Sequence, residues 1–323
     1  MPTVLISDFP WLDLSVERAI LAEAGLDLVA GPAEASAAAA VIEALALEHD
    51  PVGIMSCWAR LSAQAIANAP SLRHIARLDV GLDNIDVYAA TAKGVLVTNL
   101  PDYCVEEVSD HAVALVMAWA RGLIPLDRRV KQGFWEPGAS GLKSMRDLVV
   151  GIVGFGRIGR RAAEKLSGFG TRVLASGRGP ITDAPAPVEP ASFDALLETC
   201  DAVIICAPLT EATHHLFDDR RLGRMRPGAF LVNVTRGGLI DSHALVRALE
   251  AGHLSGAGLD VVEGEPNPLA ALTTRPDVIV TPHVAYASAS SVTGLRTRVA
   301  QEIVRVHRGQ APEHPCNRPA VRP

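Results

Sequence analysis

The sequence predicts an α/β protein with parallel sheets, and three observations carry that expectation. Short apolar runs alternate with segments of helical periodicity along almost the whole chain, the rhythm of repeated βα units. Gly (27) and Pro (22) are plentiful, as tight strand–helix turns require, while aromatic residues make up only 4%. One apolar run, Leu148 to Val153, passes directly into Gly154-Phe-Gly156-Arg-Ile-Gly159 and then into a helical stretch.

The elements follow in order. Val4–Ser7 is an apolar run closed by an Asp/Pro turn and reads as a buried strand. Leu14–Ala24 has helical spacing and stops at Gly25, and Leu26–Val29 reads as the second strand. The Ala-rich stretch 33–40 continues into Val41, Ile42, Leu45 and Leu47 at helical spacing. A helix is expected there rather than a linker, because alanine has the best helix propensity. Val52–Ser56, His74–Leu78 and Val95–Thr98 continue the strands, with helical segments between them. Pro101-Asp-Tyr-Cys-Val105 breaks the pattern, and a long helix then runs to about Ala120 on Val108, Ala112, Leu115, Val116 and Trp119. The segment from Pro125 to Lys143 reads as a helix and a loop, a candidate arm between subunits. A second αβ rhythm runs from Leu148 to about Pro282, and Ser288–His307 is helical again. The basic, Pro-rich tail from Pro312 to Pro323 is expected to fray.

Composition narrows the function. A chain of 323 residues suggests about two domains, and the cleft between two such halves is the expected ligand site. With 49% hydrophobic and 20% charged residues the chain buries a sizeable core and is not disordered. A net charge of -6 offers no electrostatic footprint for nucleic acid, so no such partner is expected. The five cysteines (Cys57, Cys104, Cys200, Cys206, Cys316) are widely spaced and form no C-x-x-C pair. Neither a disulfide framework nor a metal site is expected from them, and a reducing, cytoplasmic setting fits best. Met1 to Asp8 reads as a strand rather than a signal peptide, and no run of ~18 apolar residues suggests a membrane span.

A strand, G-x-G-x-x-G and a helix together form the context of a dinucleotide site. Gly154 would make the tight turn, Gly156 would admit the pyrophosphate to the backbone, and Gly159 would let helix and strand pack closely. Arg157 and Ile158 lie in the glycine turn, before a helix expected over Arg160–Leu166, whose free N–H groups would hold the phosphates. The next strand, Arg172–Ala175, ends in Ser176-Gly177-Arg178. An NAD site carries Asp or Glu at this point to accept from the ribose 2′-hydroxyl. Here the first acid is Asp183, and a guanidinium suits a 2′-phosphate. NADP is therefore the favoured cofactor and NAD the alternative.

Three polar residues stand at strand ends in the second half: Arg236 after Ala229–Val232, Glu265 after Leu259, and His283 after Val278 to Val280. Ligands of open α/β sheets bind beyond the carboxyl ends of strands. Taken singly, Arg236 reads equally as a surface charge, Glu265 as a turn residue and His283 as a helix cap. Together with the glycine turn, the runs Asn233 to Asp241, Asp260 to Pro266 and Thr281-Pro-His283 resemble, in this order, the D-isomer-specific 2-hydroxyacid dehydrogenases over nearly the full chain. Pro101 to Glu107 and Thr281 to Tyr286 look most like the bacterial relatives of the C-terminal-binding proteins.

The resemblance implies a Rossmann-type, doubly wound parallel sheet as the cofactor domain, residues 101–286, inserted in a flavodoxin-like substrate domain, residues 1–100 and 287–323. It implies that Arg236 grips the carboxylate of a 2-oxo acid, and that His283 is the proton donor with Glu265 favouring its imidazolium. It places Asp260 on the nicotinamide carboxamide, Ala207 and Pro208 along the adenosine, and Thr235 among the cofactor contacts. The substrate would meet Val80 and Gly81, which close over the nicotinamide, and Tyr286. The loop Arg77 to Gly81 departs from the family pattern, which has a small residue where Asp79 stands. Pairing with Arg77 or solvent exposure is the expected state of Asp79, and selection of a substrate with a positive or hydrogen-bonding tail is the alternative. Members of the family are usually dimers joined through the cofactor domains, with the segments 105–120 and 125–143 as candidates for the contact. The implied activity is reduction of glyoxylate, hydroxypyruvate or a branched 2-oxo acid to a D-2-hydroxy acid with NAD(P)H. A phosphonopyruvate-type substrate and a dinucleotide-sensing corepressor-like role are the alternatives. The retention of Arg236, Glu265 and His283, and the lack of a long disordered tail, favour the enzyme.

Overall fold

The computed structural model describes residues 1–34, 37–138, 141–185 and 187–319. The chain divides into two compact units, Met1–Tyr103 with Ser288–Pro323, and Cys104–Ala287.

The first unit opens with β1 (Thr3–Ile6), α1 (Ser15–Glu23), β2 (Asp27–Ala30), α2 (Ala39–His49), β3 (Gly53–Ser56), α3 (Ala63–Asn68), β4 (His74–Arg77), α4 (Val87–Ala92) and β5 (Leu96–Thr98). Its strands form one parallel sheet in the order β2-β1-β3-β4-β5, the flavodoxin-like arrangement. Both faces are covered, so the strands are continuous apolar runs rather than alternating ones. Val4 and Ile6 enter one core cluster, and Leu5, between them, enters the other with Ile42, Ile54 and Ile75. The Ala-rich stretch becomes helical later than its composition suggests, at Ala39, and Ala35 and Ser36 lie outside the described residues. Before it, Phe9 donates its N–H to the Pro32 carbonyl at 3.3 Å, which holds the chain as a connection above β1.

The second unit contains α5 (Val105–Ala120), α6 (Leu123–Lys131), β6 (Val149–Val153), α7 (Arg157–Gly168), β7 (Arg172–Ser176), β8 (Val188–Pro190), α8 (Phe193–Thr199), β9 (Ala202–Ile205), α9 (Asp219–Arg224), β10 (Ala229–Asn233), α10 (Ser242–Glu250), β11 (Leu254–Leu259), α11 (Ala270–Thr273) and β12 (Val278–Val280). Its seven strands are all parallel, in the order β12-β11-β10-β9-β6-β7-β8. The order reverses between β6 and β9, where a doubly wound sheet opens its ligand crevice. The apolar stripe of α5 is buried within this unit against α7 and β10. Gly258 on β11 lets Leu115 of α5 come close, since a Cβ there would lie 3.1 Å from the Leu115 Cβ. α6 buries none of its residues. Residues 139–140 of the predicted arm lie outside the described residues.

The chain then returns to the first unit with α12 (Ala289–His307), whose start is fixed by a capping box between Ser288 and Ser291. Leu295, Val299 and Ile303 of α12 fill the core above β3 and β4, and Arg296 pairs with buried Glu17 of α1 through two bonds of 2.7 Å. Among the described residues, no helix is long and apolar enough to cross a membrane.

The expectation of a frayed tail is corrected as far as Asn317. Pro315 pairs antiparallel with Thr98, and Cys316 donates its N–H to the Val97 carbonyl at 2.8 Å. Asn317 accepts from the Val97 N–H at 2.8 Å and donates to Val95 O and Thr91 Oγ1 at 2.9 Å. β5 is an edge strand, and its unpaired backbone groups supply what the tail binds. Residues 320–323 lie outside the described residues.

Candidate active site

The glycine turn sits at the carboxyl end of β6, beside the switch point. Gly154 has φ +99, a conformation natural only to glycine, and a Cβ there would lie 2.5 Å from the Ala207 nitrogen. A Cβ on Gly159 would lie 2.2 Å from the Gly154 carbonyl oxygen, whereas one on Gly156 would meet nothing within 4 Å. Two glycines are thus required by packing, and the middle one leaves backbone open to a ligand. Arg157 begins α7, three residues earlier than the apolar pattern suggests, with Arg157 exposed and Ile158 half-buried. Gly156 precedes it, so no side chain caps the first N–H groups of α7, as a phosphate cradle requires. Ala207 is buried and Pro208 exposed in the turn after β9.

At the end of β7, Ser176 is buried and its carbonyl accepts the Gly154 N–H at 2.8 Å. Arg178 is exposed and makes no ion pair among the described residues. A cavity of about 410 Å³ opens here, lined by Ser176, Arg178, Ile181, Pro190 and Phe193 among others. Asp183 is not available in Arg178's place. It pairs with Arg160 at 2.7 Å, and that hydrogen bond holds its carboxyl below the usual range.

β10, β11 and β12 are neighbours, so Arg236, Asp260 and His283 leave the same end of the sheet. Asn233, wholly buried at the end of β10, fixes the first turn. Its Oδ1 accepts from the Thr235 N–H and Oγ1 at 3.1 and 3.0 Å, and its Nδ2 donates to the Arg236 carbonyl at 2.9 Å. Arg236 itself is half-buried, with one guanidinium N–H on the Thr235 carbonyl at 2.9 Å. Asp260 is buried with both oxygens engaged. Thr281 Oγ1 donates to Oδ1 at 2.6 Å, the Val284 N–H to Oδ1 at 3.0 Å, and the Ala285 N–H to Oδ2 at 2.9 Å. His111 of α5 reaches the same Thr281 hydroxyl at 3.0 Å. Asp260 thereby ties down the turn that carries His283, whose own N–H donates to the Asp260 carbonyl at 2.8 Å. His283 adopts φ +55, a left-handed conformation uncommon for a non-glycine residue. Its Nδ1 lies 2.9 Å from Glu265 Oε1. Tyr286 follows in the same loop, half-buried.

The structure therefore joins His283, Glu265 and Asp260 directly, and links Arg236 to them through Asn233, whose carbonyl accepts the Asp260 N–H at 3.0 Å. Asn233, Thr281 and His111 hold this arrangement and were not singled out by sequence. The Asn233 pattern, an amide two and three residues before Thr235 and Arg236, was the signal for an Asx turn.

Val80 and Gly81 belong to the first unit, in the loop after β4. Arg77 donates to the Gly81 carbonyl at 2.8 Å and Asn99 to the Val80 carbonyl at 2.7 Å. The N–H groups of Val80 and Gly81 have no hydrogen-bond partner among the described residues. Asp79 takes the expected paired state: Arg77 lies 3.2 Å from Oδ2 and the Tyr103 hydroxyl 3.3 Å from Oδ1.

Comparison with known proteins agrees with this geometry. The family model described as D-isomer specific 2-hydroxyacid dehydrogenase, NAD binding domain, matches residues 113–285. Glyoxylate reductase of Thermococcus onnurineus is 37% identical over 268 residues, 80% of this chain and 80% of its own. The D-lactate dehydrogenase of Aquifex aeolicus, solved with NAD and lactic acid, superposes with a TM-score of 0.89 at 27% identity, covering 98% of this chain and 100% of its own. The NADPH-dependent glyoxylate/hydroxypyruvate reductase of Sinorhizobium meliloti, solved with NADP and malonate, gives 0.84 at 31% identity, covering 97% and 96%.

Proposed function

The chain belongs to the D-isomer-specific 2-hydroxyacid dehydrogenase family, and from that premise we propose that it reduces small 2-oxo acids of the glyoxylate and hydroxypyruvate kind to D-2-hydroxy acids, with NADPH preferred over NADH. The observation that carries the reading is the His283–Glu265 hydrogen bond, on the same sheet whose glycine turn is open at Gly156.

The reduced nicotinamide, when bound, supplies the hydride to the carbonyl carbon. The chain's own residues do the rest. Arg236 holds the substrate carboxylate in its fork and polarises the carbonyl, with its backbone fixed by Asn233. His283 gives the proton to the developing alkoxide in reduction and takes it back in oxidation. With Nδ1 committed to Glu265, that proton moves through Nε2, and the carboxylate offsets the charge of the imidazolium. Val80 and Gly81 offer their N–H groups to the substrate carboxylate, and Tyr286 borders its side chain. Thr235 and Asp260 border the nicotinamide end, Asp260 through the turn it ties down, and Ala207 and Pro208 line the adenosine. In this reading residues 101–286 are the cofactor domain and 1–100 with 287–323 the substrate domain.

Support for NADP is the exposed Arg178 beside buried Ser176, in a cavity with no competing acid now that Asp183 is held by Arg160. We also propose a homodimer joined through the α6 arm. α6 buries nothing in its own unit, and Leu123, Val130, Phe134 and Trp135 stand exposed, Trp135 by 81%. Sedimentation of the full chain tests this, and a monomer would refute it. For the activity, purified protein is mixed with NADPH or NADH and a panel of 2-oxo acids while the absorbance of reduced nicotinamide is followed. Oxidation with glyoxylate or hydroxypyruvate, faster with NADPH at limiting cofactor, is expected. No oxidation with any 2-oxo acid refutes the enzyme, and a strong NADH preference refutes the cofactor assignment.

A further inference from the structure

We propose that His214, His215 and Glu263 form a binding site for a divalent transition metal of the zinc class, made of residues the dehydrogenase reaction does not use. The three side chains offer ligand atoms that all lie within 4.8 Å of one another. Among the described residues, no other group of three or more His, Cys, Asp or Glu is so arranged. The two histidines come from the loop after β9 and the glutamate from the loop after β11.

Adjacent side chains on an extended chain point to opposite sides. His215 avoids this by adopting φ +50, and the two imidazoles stack with centroids 3.9 Å apart. The loop is held in that shape from both sides. His214 donates its N–H to the Thr210 carbonyl at 2.9 Å, His215 to the Gly238 carbonyl at 2.8 Å, and Phe217 to the Leu239 carbonyl at 2.9 Å. Glu263 is oriented toward the rings, with Oε1 2.7 Å from His215 Nε2 and Oε2 3.5 Å from the Ser242 N–H at the start of α10. Two imidazoles and a carboxylate are therefore gathered before any ion arrives.

Zinc takes imidazole nitrogen and carboxylate oxygen at roughly 2.0–2.2 Å in tetrahedral sites. The corresponding ligand–ligand edge is about 3.3 Å, so the His215–Glu263 pair opens slightly and His214 swings inward. The metal then takes the place of the direct His215–Glu263 contact. Three protein ligands leave a fourth position to water, and His214 is exposed, so the ion enters from solvent. An imidazole-rich set favours zinc and its neighbours over magnesium and calcium, which take oxygen. Binding requires neutral imidazoles and weakens on acidification.

The site also touches the framework of the reaction. Glu263 precedes Glu265 by one residue between them. A Cβ on Gly237, next to Arg236, would lie 2.2 Å from the Val262 carbonyl carbon and 2.3 Å from the Glu263 nitrogen. A metal on Glu263 thus ties down the two segments that carry Arg236 and Glu265.

The untagged full chain, stripped with a chelator and titrated with zinc chloride by calorimetry, tests the proposal. One zinc per chain is expected, with affinity lowered by at least about tenfold in His214→Ala and in Glu263→Gln. The melting temperature should rise with zinc in the wild type and not in the variants. His214→Ala removes an exposed ring, so its fold is preserved and the comparison stays valid. No saturable binding to the wild type overturns the proposal, as does equal binding by wild type and both variants.

Discussion

Acidification should destabilise this protein through one buried histidine. His74 opens β4, is buried, and has Nε2 2.9 Å from Thr98 Oγ1 on β5, while Nδ1 is buried with no partner among the described residues. A proton on Nδ1 would place an unpaired charge in the sheet, so burial pushes the imidazole down to about 3. In the unfolded chain the ring takes its proton near ~6.5. The folded value is depressed, so between these limits the unfolded state binds more protons, and stability falls as pH falls. Above ~6.5 the contribution is fully present, and each pH unit below removes roughly 1.4 kcal/mol until the folded ring titrates. At pH 4.5 the loss is roughly 2.7 kcal/mol, a large part of an ordinary folding free energy. His74→Gln keeps a partner for Thr98 and does not titrate. Urea unfolding followed by circular dichroism at pH 7.5 and pH 4.5 should show the wild type losing about 2–3 kcal/mol more than the variant. Every other titrating group is common to both proteins and cancels. Parallel pH dependence in the two proteins would refute the argument.

Arg178→Ala should raise KM for NADPH by about tenfold to a hundredfold, the value of a charge-assisted bond of roughly 1.5–3 kcal/mol, and leave KM for NADH unchanged in steady-state assays. His283→Ala should lower kcat by about 10²–10⁴-fold, while Glu265→Gln, which keeps a hydrogen-bond acceptor but removes the charge, should cost less; equal loss in both, or none in either, would contradict their roles. Asn317→Ala removes three bonds to β5 and its neighbourhood and should lower the unfolding free energy by roughly 2 kcal/mol, measured by denaturant titration. An unchanged midpoint would mean the tail adds nothing to the sheet.

Sequence was most informative where chemistry and local geometry coincide. The α5 helix is readable because its apolar residues repeat at three and four, and the strands because both faces of each sheet are buried. The glycine turn is readable because Gly154 and Gly159 answer separate steric demands while Gly156 stands open between them. What escaped depends on partners distant in the chain. β8 is three residues long, and its pairing with β7 comes from tertiary register rather than propensity. The tail looks frayed by composition, yet Asn317 meets Val97 across 220 positions. α2 begins later than alanine propensity implies, because propensity does not register the tie between Phe9 and Pro32. Likewise, His215 and Glu263 are 48 positions apart, and nothing local suggests that they meet.

A common device explains how both units keep their functional loops rigid. At the end of β1, Asp8 accepts the N–H groups of Trp58 at 3.1 Å and Ala59 at 2.9 Å, just past the neighbouring strand β3. At the end of β11, Asp260 does the same for Val284 and Ala285, past the neighbouring β12. In each case a buried carboxylate on one strand satisfies backbone donors of the next loop, where an unsatisfied N–H would otherwise be costly. Each loop is thus fixed by two backbone N–H bonds to one carboxylate, without needing apolar side chains of its own. Polar chemistry can then occupy the loop's outer face. That is the position of His283, which has an uncommon backbone conformation and is held from behind by Asp260. Asp79 fits the same logic in the first unit: its carboxylate oxygens are occupied by Arg77 and Tyr103. Asp8, Asp79 and Asp260 therefore act as internal fasteners. A net charge of -6 therefore says little about these loops, whose carboxylates are taken up by internal bonds.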